Sequence, residues 1–92
     1  KENGGKTGFI WACQNGSTAI VDMMLKMAQE VKIDLNAKDI LERTGFIYAC
    51  KNKRSEVINL LLAKAESLQI DLQAKDDEGK SGFDVFPKHF QK

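Results

Sequence analysis

The feature of this sequence that most restricts its fold is an internal repeat with a period of 37 residues. Residues 7–13 read TGFIWAC and residues 44–50 read TGFIYAC, while IDLNAKD at residues 33–39 returns as IDLQAKD at 70–76. A third copy begins with SGF at residue 81. Periods of 20–50 residues indicate arrays in which each copy folds as one unit and neighbouring units share a core. The sequence therefore predicts two full units and a partial third, stacked side by side.

Each copy predicts a short helix, a longer helix and a polar turn. Thr7 and Thr44 are the expected N-caps, because a threonine hydroxyl accepts a hydrogen bond from an early helical N–H. Short helices are expected from Gly8 to about Asn15 and from Gly45 to about Asn52, and they are apolar on nearly all sides, so they must be covered on most sides. The longer helices carry one apolar stripe each, formed by Ile20, Val21, Met24, Leu25, Ala28 and Val31 in the first copy and by Val57, Ile58, Leu61, Leu62, Ala65 and Leu68 in the second. An Ile-Asp-Leu segment and an Ala-Lys-Asp turn then project as a hairpin-like finger.

The tripeptide GKT at residues 5–7 also matches the second half of a phosphate-binding loop. The repeat argues against that interpretation, because the same phase holds ERT at residues 42–44 and GKS at 79–81. The last of these would need a glycine at position 74 to complete the loop, where the chain has Ala74. We therefore expect a turn that leads into a helix N-cap, and no cofactor.

Charge and hydropathy restrict the partners. Fourteen Lys and Arg against thirteen Asp and Glu leave a formal charge of +1, so the strongly basic surface of a nucleic-acid-binding protein is not expected. The aromatic pair Trp11 and Tyr48 occupies one repeat position, which favours packing between copies over base stacking. The longest apolar runs fall far short of a membrane span of about 20 residues, so no membrane insertion is expected.

The two cysteines, Cys13 and Cys50, stand alone in apolar surroundings. Neither has the close Cys or His neighbour that a metal site or a redox pair would need, so no metal is expected. Free buried cysteines behave as small apolar residues and suit a reducing compartment. The expected location is therefore intracellular, cytoplasmic or nuclear.

Catalytic residues are not apparent. The only histidine, His89, has no nucleophile patterned beside it. The aspartate pairs Asp34 with Asp39 and Asp71 with Asp76 recur at the repeat period, which favours turn and cap residues over an acid and a base. We expect that the protein is not an enzyme.

The combined pattern resembles the ankyrin repeat over essentially the whole chain. The resemblance rests on Gly-x-Thr-x-Phe-x-x-Ala-Cys-x-Asn-Gly, on Ile-Val-x-x-Met-Leu in the longer helix, and on Asp-Leu-Asn-Ala-Lys-Asp in the finger. It implies an all-α fold, an ankyrin-repeat solenoid of stacked helix-turn-helix units with hairpin-like fingers. We expect a single domain over residues 1–92, with repeat 1 at about residues 3–39, repeat 2 at about 40–76 and a C-terminal half repeat at about 77–92.

Three departures from the family pattern carry expectations of their own. Where the family usually has proline after the capping threonine, this chain has Gly8, Gly45 and Gly82. Where it usually has histidine two residues later, this chain has Ile10, Ile47 and Asp84. The period exceeds the usual 33 residues by four, about one helical turn, which is expected to lengthen the second helix. In the half repeat, Phe83, Phe86 and Phe90 are expected to close the open end of the stack, with a kink or stop at Pro87.

The resemblance implies a non-catalytic protein–protein interaction module, which binds a protein partner through its finger tips and the concave face of its first helices. The residues expected to contact that partner are Lys6, Gln14, Asn15, Lys38, Ile40, Leu41, Arg43, Lys51, Asn52, Asp77 and Lys80. Ile40 and Leu41 place two large apolar side chains at one finger tip, where either a partner or a stacking contact with the next finger would bury them. The alternative is a set of structural spacer repeats from a longer array that bind no partner of their own. Because at least three repeats are usually needed for stability, self-association or neighbouring repeats outside this sequence are also expected.

Overall fold

Five helices form the framework of the molecule in a computed structural model that describes residues 4–85. In chain order they are α1 (Gly8–Asn15), α2 (Thr18–Met27), α3 (Gly45–Lys51), α4 (Ser55–Leu68) and α5 (Gly82–Val85). Helices α1 and α2 belong to the first copy of the repeat, α3 and α4 to the second, and α5 to the third. The all-helical prediction is confirmed for this part of the chain, whereas Phe86, Pro87 and Phe90 lie outside the described residues.

The helix starts confirm the cap interpretation of the GKT tripeptide. The Thr7 hydroxyl accepts a hydrogen bond from the Ile10 N–H at 3.2 Å, and the Thr44 hydroxyl accepts one from Ile47 at the same distance. The third copy differs, because there the Ser81 N–H donates to the Asp84 carboxylate at 2.8 Å. The Ser81 hydroxyl donates to the same carboxylate at 3.3 Å, and the Asp84 N–H donates to the Ser81 backbone carbonyl at 3.1 Å. At this helix start the Asp84 carboxylate therefore satisfies the N–H of the cap residue.

The helices form two rows. Helices α1, α3 and α5 lie side by side, and α2 packs against α4. Within the first two copies, α1 packs against α2 and α3 packs against α4. The shared interior is made by buried side chains of both rows and of the segments that follow α2 and α4. Its members are Phe9, Ala12, Cys13, Val21, Leu25, Leu35, Phe46, Ala49, Cys50, Val57, Ile58, Leu61 and Ile70. Neither copy encloses this cluster alone, as expected for a stacked array.

The four extra residues of the period are accommodated differently in the two copies. Helix α4 runs for 14 residues, as the lengthened second helix predicts, and its end packs Leu68 against the core. Helix α2 runs for only 10 residues and ends at Met27, where turns follow and the Val31 N–H donates to the Met27 carbonyl at 2.8 Å. Val31 is exposed, so no burial of apolar surface stabilises a further helical turn there.

Glu42 adopts a left-handed backbone conformation in a turn where the other copies have glycine. Its φ of 63° matches Gly5 at 79° and Gly79 at 80°. A side chain is strained in this region, and glycine is not. We expect Glu42→Gly to raise the free energy of unfolding, measured by urea denaturation, by about 0.5–1 kcal/mol. The exposed Glu42 contact with Lys38, at 3.8 Å, contributes too little to cancel that gain.

Gly79→Ala is the matched reverse experiment. No atom lies within 4 Å of a Cβ built on Gly79, so this substitution tests the backbone conformation alone. It should lower stability by an amount similar to the gain at Glu42. A loss of stability in Glu42→Gly would contradict the strain argument.

Candidate functional site

Each finger is held by one aspartate at its base. In the first finger, residues 38–43, the Asp39 carboxylate accepts hydrogen bonds from the backbone N–H groups of Leu41 at 2.9 Å and Arg43 at 3.0 Å. In the second, residues 75–80, Asp76 does the same for Glu78 and Lys80 at 2.9 and 3.0 Å. The aspartates that were interpreted as turn residues are therefore engaged with their own backbone, and each finger is a closed, pre-formed turn.

Backbone hydrogen bonds connect one tip to the next. The Ile40 N–H donates to the Gly4 carbonyl at 2.8 Å, and one period later the Asp77 N–H donates to the Leu41 carbonyl at 3.0 Å. The Lys38 ammonium adds a bond to the Lys75 carbonyl at 3.1 Å. The tips consequently form a connected edge rather than independent loops.

Ile40 and Leu41 are the apolar residues of this edge. Ile40 is 71% exposed and Leu41 is 39% exposed, although both are large aliphatic side chains. The Ile40 side chain lies beside the N-terminal turn, since a Cβ built on Gly4 would lie 3.7 Å from it and one built on Gly5 would lie 3.5 Å from it. Apolar side chains held in water by a rigid turn form a surface that a partner can bury.

A cluster of cations and aromatic rings lies behind the tips. The Lys6 ammonium is 4.7 Å from the centre of the Trp11 ring and 5.0 Å from that of Tyr48, and the Arg43 guanidinium is 5.6 Å from the Tyr48 ring. The Tyr48 hydroxyl donates to the Asp39 carboxylate. This cluster stabilises the junction between the finger and the first helices.

Arg43, the last residue of the first finger, has a mainly structural role, because it pairs with Asp76 of the second finger. Its side chain is largely buried, and its Nε lies 3.5 Å from the Asp76 carboxylate, an ion-pair distance without a hydrogen bond at that nitrogen. Burial lowers the pKa of Arg43, but the interactions with Tyr48 and Asp76 outweigh burial and leave the pKa raised. Burial, followed by the hydrogen bond to Asp39, raises the pKa of Tyr48. Arg43 therefore offers a partner less free charge than its position in the sequence suggested.

The second finger should be sensitive to acid. The Lys80 N–H lowers the pKa of Asp76, burial opposes it, and the Glu78 N–H and Arg43 lower the pKa further, so the net shift is downward. A group with a lowered folded pKa stabilises the fold above its unfolded pKa, and this contribution is lost as the pH falls through the folded value. We expect Asp76→Asn to have a lower urea midpoint than the natural chain at pH 7, with a gap that narrows below about pH 4.

Asp77→Asn, at the exposed neighbouring carboxylate, is the control for that measurement. Asp77 is exposed and Asp76 is nearly buried, so the control should change the midpoint less. A gap between Asp76→Asn and the natural chain that stays constant from pH 7 to pH 3 would contradict the acid-sensitivity argument.

The remaining predicted contact residues divide between the finger edge and the ends of the first helices. Lys38, Asp77 and Lys80 are exposed on the fingers. Asn15, Lys51 and Asn52 are exposed at the ends of α1 and α3.

Gln14 is half-buried, with the oxygen of its side chain buried and without a hydrogen-bond partner. The backbone carbonyl of Gln14 accepts hydrogen bonds from Asn52 Nδ2 at 3.4 Å and from Arg54 Nε at 3.0 Å. These bonds connect the two copies at the far end of the first helices.

The prediction from the sequence that Trp11 packs between copies is wrong. Tyr48 is buried between copies as predicted, but Trp11 at the equivalent position is 38% exposed. Tyr48 contacts Lys6 of the first copy and Asp39 and Arg43 of the finger that precedes its helix. Trp11 has only the Lys6 contact among those described. The position of Trp11 in the first copy was the signal that it would be less covered.

Small-molecule and metal sites are not supported by the described part of the chain. Within residues 4–85, no group of three or more His, Cys, Asp or Glu side chains is arranged to hold a metal ion. An open cavity of about 260 Å³ lies beside the ends of the second helices, lined by Ala28, Gln29, Ile33, Asp34, Leu35, Asn36, Ser67, Leu68 and Gln69. It includes no finger-tip residue and is smaller than typical ligand pockets of about 300–1,000 Å³.

The family comparison agrees with this geometry. The family model for ankyrin repeats (3 copies) matches residues 1–76. The chain belongs to the ankyrin-repeat family. A comparison with curated protein sequences finds no match. Ankyrin repeats generally act as protein–protein interaction modules and are generally non-catalytic. None of the helices within residues 4–85 has the length and apolar character that a membrane span requires.

The structure gives a physical reason for the glycine that replaces the proline usual in ankyrin repeats. A Cβ on Gly45 would lie 2.9 Å from Cys13 Sγ and 2.9 Å from a ring carbon of Phe9. A Cβ on Gly82 would overlap the Phe46 ring. The bulky side chains of one ankyrin copy therefore occupy the space above the first helical residue of the next.

Proposed function

We propose that this ankyrin-repeat protein is a non-catalytic binding module whose partner protein is held by the finger edge, with Ile40 and Leu41 as the apolar centre of the contact. The observation that carries the proposal is the exposure of these two side chains on a turn closed by Asp39. The two side chains are adjacent and so form one contiguous apolar patch, which is the kind of surface that a partner protein can bury.

Rigidity of the edge favours binding. Loops that order on association lose conformational entropy, which reduces affinity. Here the turn is closed by the Asp39 bonds, and its backbone is joined to Gly4 on one side and to Asp77 on the other. Burying Ile40 and Leu41 would contribute about 3–5 kcal/mol before the other costs of association.

Charged residues around the apolar centre would set orientation and specificity. Lys38 and Lys80 supply cations beside the tips, and Asp77 supplies an anion at the tip of the next finger. Exposed charges of this kind contribute to association rate and partner choice more than to affinity. Asn15, Lys51 and Asn52 would extend the contact along the ends of the first helices.

The expected compartment is also part of the proposal. Cys13 and Cys50 are free and buried, and burial raises the pKa of each thiol to about 12. Thiols of this kind are unreactive and suit a reducing cytoplasm or nucleus.

A double substitution at the tip tests the binding proposal. We expect Ile40→Lys with Leu41→Lys to abolish retention of partner proteins from a cell extract on the immobilised chain, measured by quantitative mass spectrometry. Helical circular dichroism should be unchanged, because both side chains are exposed and the turn is closed by backbone bonds.

Met27→Lys with Val31→Lys is the matched control. These are also two exposed apolar residues, but they lie at the end of α2 and in the turn after it, outside the fingers. Proteins retained by the natural chain and by this control, but lost from the finger variant, would support the proposal. Equal retention by all three chains would contradict the assignment of the binding surface to Ile40 and Leu41.

The second candidate is a spacer unit of a longer array. The observation that favours it is the exposure of Ile20 and Leu62 on opposite sides of the second-helix row, where equivalent residues in the neighbouring copy are buried. If the natural chain and both variants retain nothing above background, the spacer function replaces the binding module.

A further inference from the structure

One side of the first copy is uncovered at positions that the second copy buries. This surface, called here the N-terminal face, consists of Gly8, Trp11, Ile20 and Met23. Ile20 is 48% exposed and Met23 is 55% exposed. The counterpart of Ile20 in the second copy is Val57, which is 0% exposed. The counterpart of Met23 is Leu60, which is partly buried and packs against the core.

The counterparts are covered because the second copy lies against the first. Gly45 meets Cys13 and Phe9 of α1. Glu56, which directly precedes Val57, accepts a hydrogen bond from the Thr18 hydroxyl of α2 at 3.2 Å. The N-terminal face therefore has the composition of an interface that already exists one period later in the same chain.

Gly8 identifies what such an interface would contain. Its counterparts Gly45 and Gly82 lack a Cβ because a Phe ring and a Cys thiol of the preceding copy occupy that space. A Cβ built on Gly8 would meet only the Met24 methyl among the described atoms beyond its own helix backbone. The distance of 3.5 Å is an ordinary van der Waals contact. Gly8 is not among the glycines with positive φ either. Within the described residues, neither packing nor backbone conformation requires glycine at this position.

We propose that one further repeat of the same Phe-x-x-x-Cys pattern, preceding the first copy along the polypeptide, stacks on the N-terminal face in the register in which the first copy stacks on the second. Its Phe and Cys side chains would fill the space over Gly8, and its second helix would cover Ile20 and Met23. A second copy of this chain fits less well, because its terminal unit has Phe83 at the Phe position but Pro87 at the Cys position.

Cation placement agrees with the same register. Lys6 precedes the first cap and lies over the Tyr48 ring of the second copy at 5.0 Å. A basic residue at the same position of the added repeat would lie over the exposed ring of Trp11. The proposal therefore accounts for all four residues of the N-terminal face.

A duplication supplies the missing neighbour. Residues 40–76 are fused ahead of residue 3, which places a copy of Phe46 and Cys50 in front of Gly8 at the natural period. Urea midpoints are measured for the natural chain and for the fusion, each with and without Gly8→Ala. We expect the fusion to have the higher midpoint, and Gly8→Ala to lower the midpoint of the fusion while leaving that of the natural chain unchanged or slightly raised.

Ile20→Lys provides a second readout that does not depend on tight packing at Gly8. It should lower the midpoint of the fusion markedly and change the natural chain little, because only the fusion buries this side chain. A fusion no more stable than the natural chain, or a Gly8→Ala effect equal in both hosts, would overturn the proposal. Sedimentation of the natural chain as a dimer that Ile20→Lys dissociates would assign the face to a second copy and overturn it as well.

Discussion

Gly45→Ala is expected to lower the free energy of unfolding by about 2–3 kcal/mol. The added methyl group would lie 2.9 Å from both Cys13 Sγ and a ring carbon of Phe9, closer than non-bonded carbon and sulfur atoms approach. Both neighbours are buried in the interior between copies, so neither can move into solvent. Relief requires the α1 and α3 helices to separate, which weakens the interface that joins the two copies. Urea denaturation followed by helical circular dichroism measures the loss.

Gly8→Ala is the matched control, since it makes the same chemical change at the same repeat position. The added methyl group meets only the flexible end of Met24 at an ordinary distance. Alanine also restricts the unfolded chain more than glycine does, so this variant should be unchanged or more stable by up to about 1 kcal/mol. Equal losses at Gly8 and Gly45 would show that the glycines serve the helix start and not the contact between copies.

Phe46→Ala is expected to cost about 3–5 kcal/mol. Phe46 is fully buried at the centre of the first-helix row. Its ring packs edge-on against Phe83, with 5.5 Å between ring centres, and it lies over the bare backbone of Gly82. Removing it leaves a cavity that touches the second and third copies at once. Because a small domain is stable by only about 5–15 kcal/mol in total, this variant should be largely unfolded at moderate urea.

Two milder variants keep the Phe46 prediction measurable if alanine prevents folding altogether. Phe46→Leu removes less volume and should cost less than Phe46→Ala while remaining folded. Phe83→Ala removes the other ring of the pair, but Phe83 is partly exposed, so its loss should be well below that of Phe46→Ala. A loss for Phe83→Ala equal to that for Phe46→Ala would contradict the central role of the buried ring.

The fold could be predicted well from the sequence because the 37-residue period shows where each structural unit begins and ends. The positions of the capping threonines and the apolar stripes repeat, so each copy supports the interpretation of the other. The ends of the array were harder to predict, because an end residue has the same neighbours in sequence as an inner one but different neighbours in space. Trp11 and Ile20 were assigned by analogy with Tyr48 and Val57, and the structure leaves both partly exposed.

The candidate site was predicted only in part. Exposure of Ile40 and Leu41 follows from their place at the tip of a polar turn. The engagement of Arg43 with Asp76 and Tyr48 does not, since an arginine beside a turn looks equally free in the sequence whether or not it is paired across 33 residues. Glycine in place of the usual proline could be seen, but its reason required the distance from Gly45 to Phe9.

The bonds that join neighbouring finger tips involve only peptide groups. The Gly4 and Leu41 carbonyls accept, and the Ile40 and Asp77 N–H groups donate, so the side chains at these four positions take no part. Glycine and leucine occupy equivalent acceptor positions, and isoleucine and aspartate occupy equivalent donor positions. At the donor positions 40 and 77, almost any residue other than proline can therefore be exchanged without loosening the edge. Gly4 is the exception among the four, because its φ of 66° disfavours a side chain. If the finger edge binds the partner as proposed, substitutions at the two adjacent codons of Ile40 and Leu41 would change the ligand preference and leave the architecture beneath them unchanged.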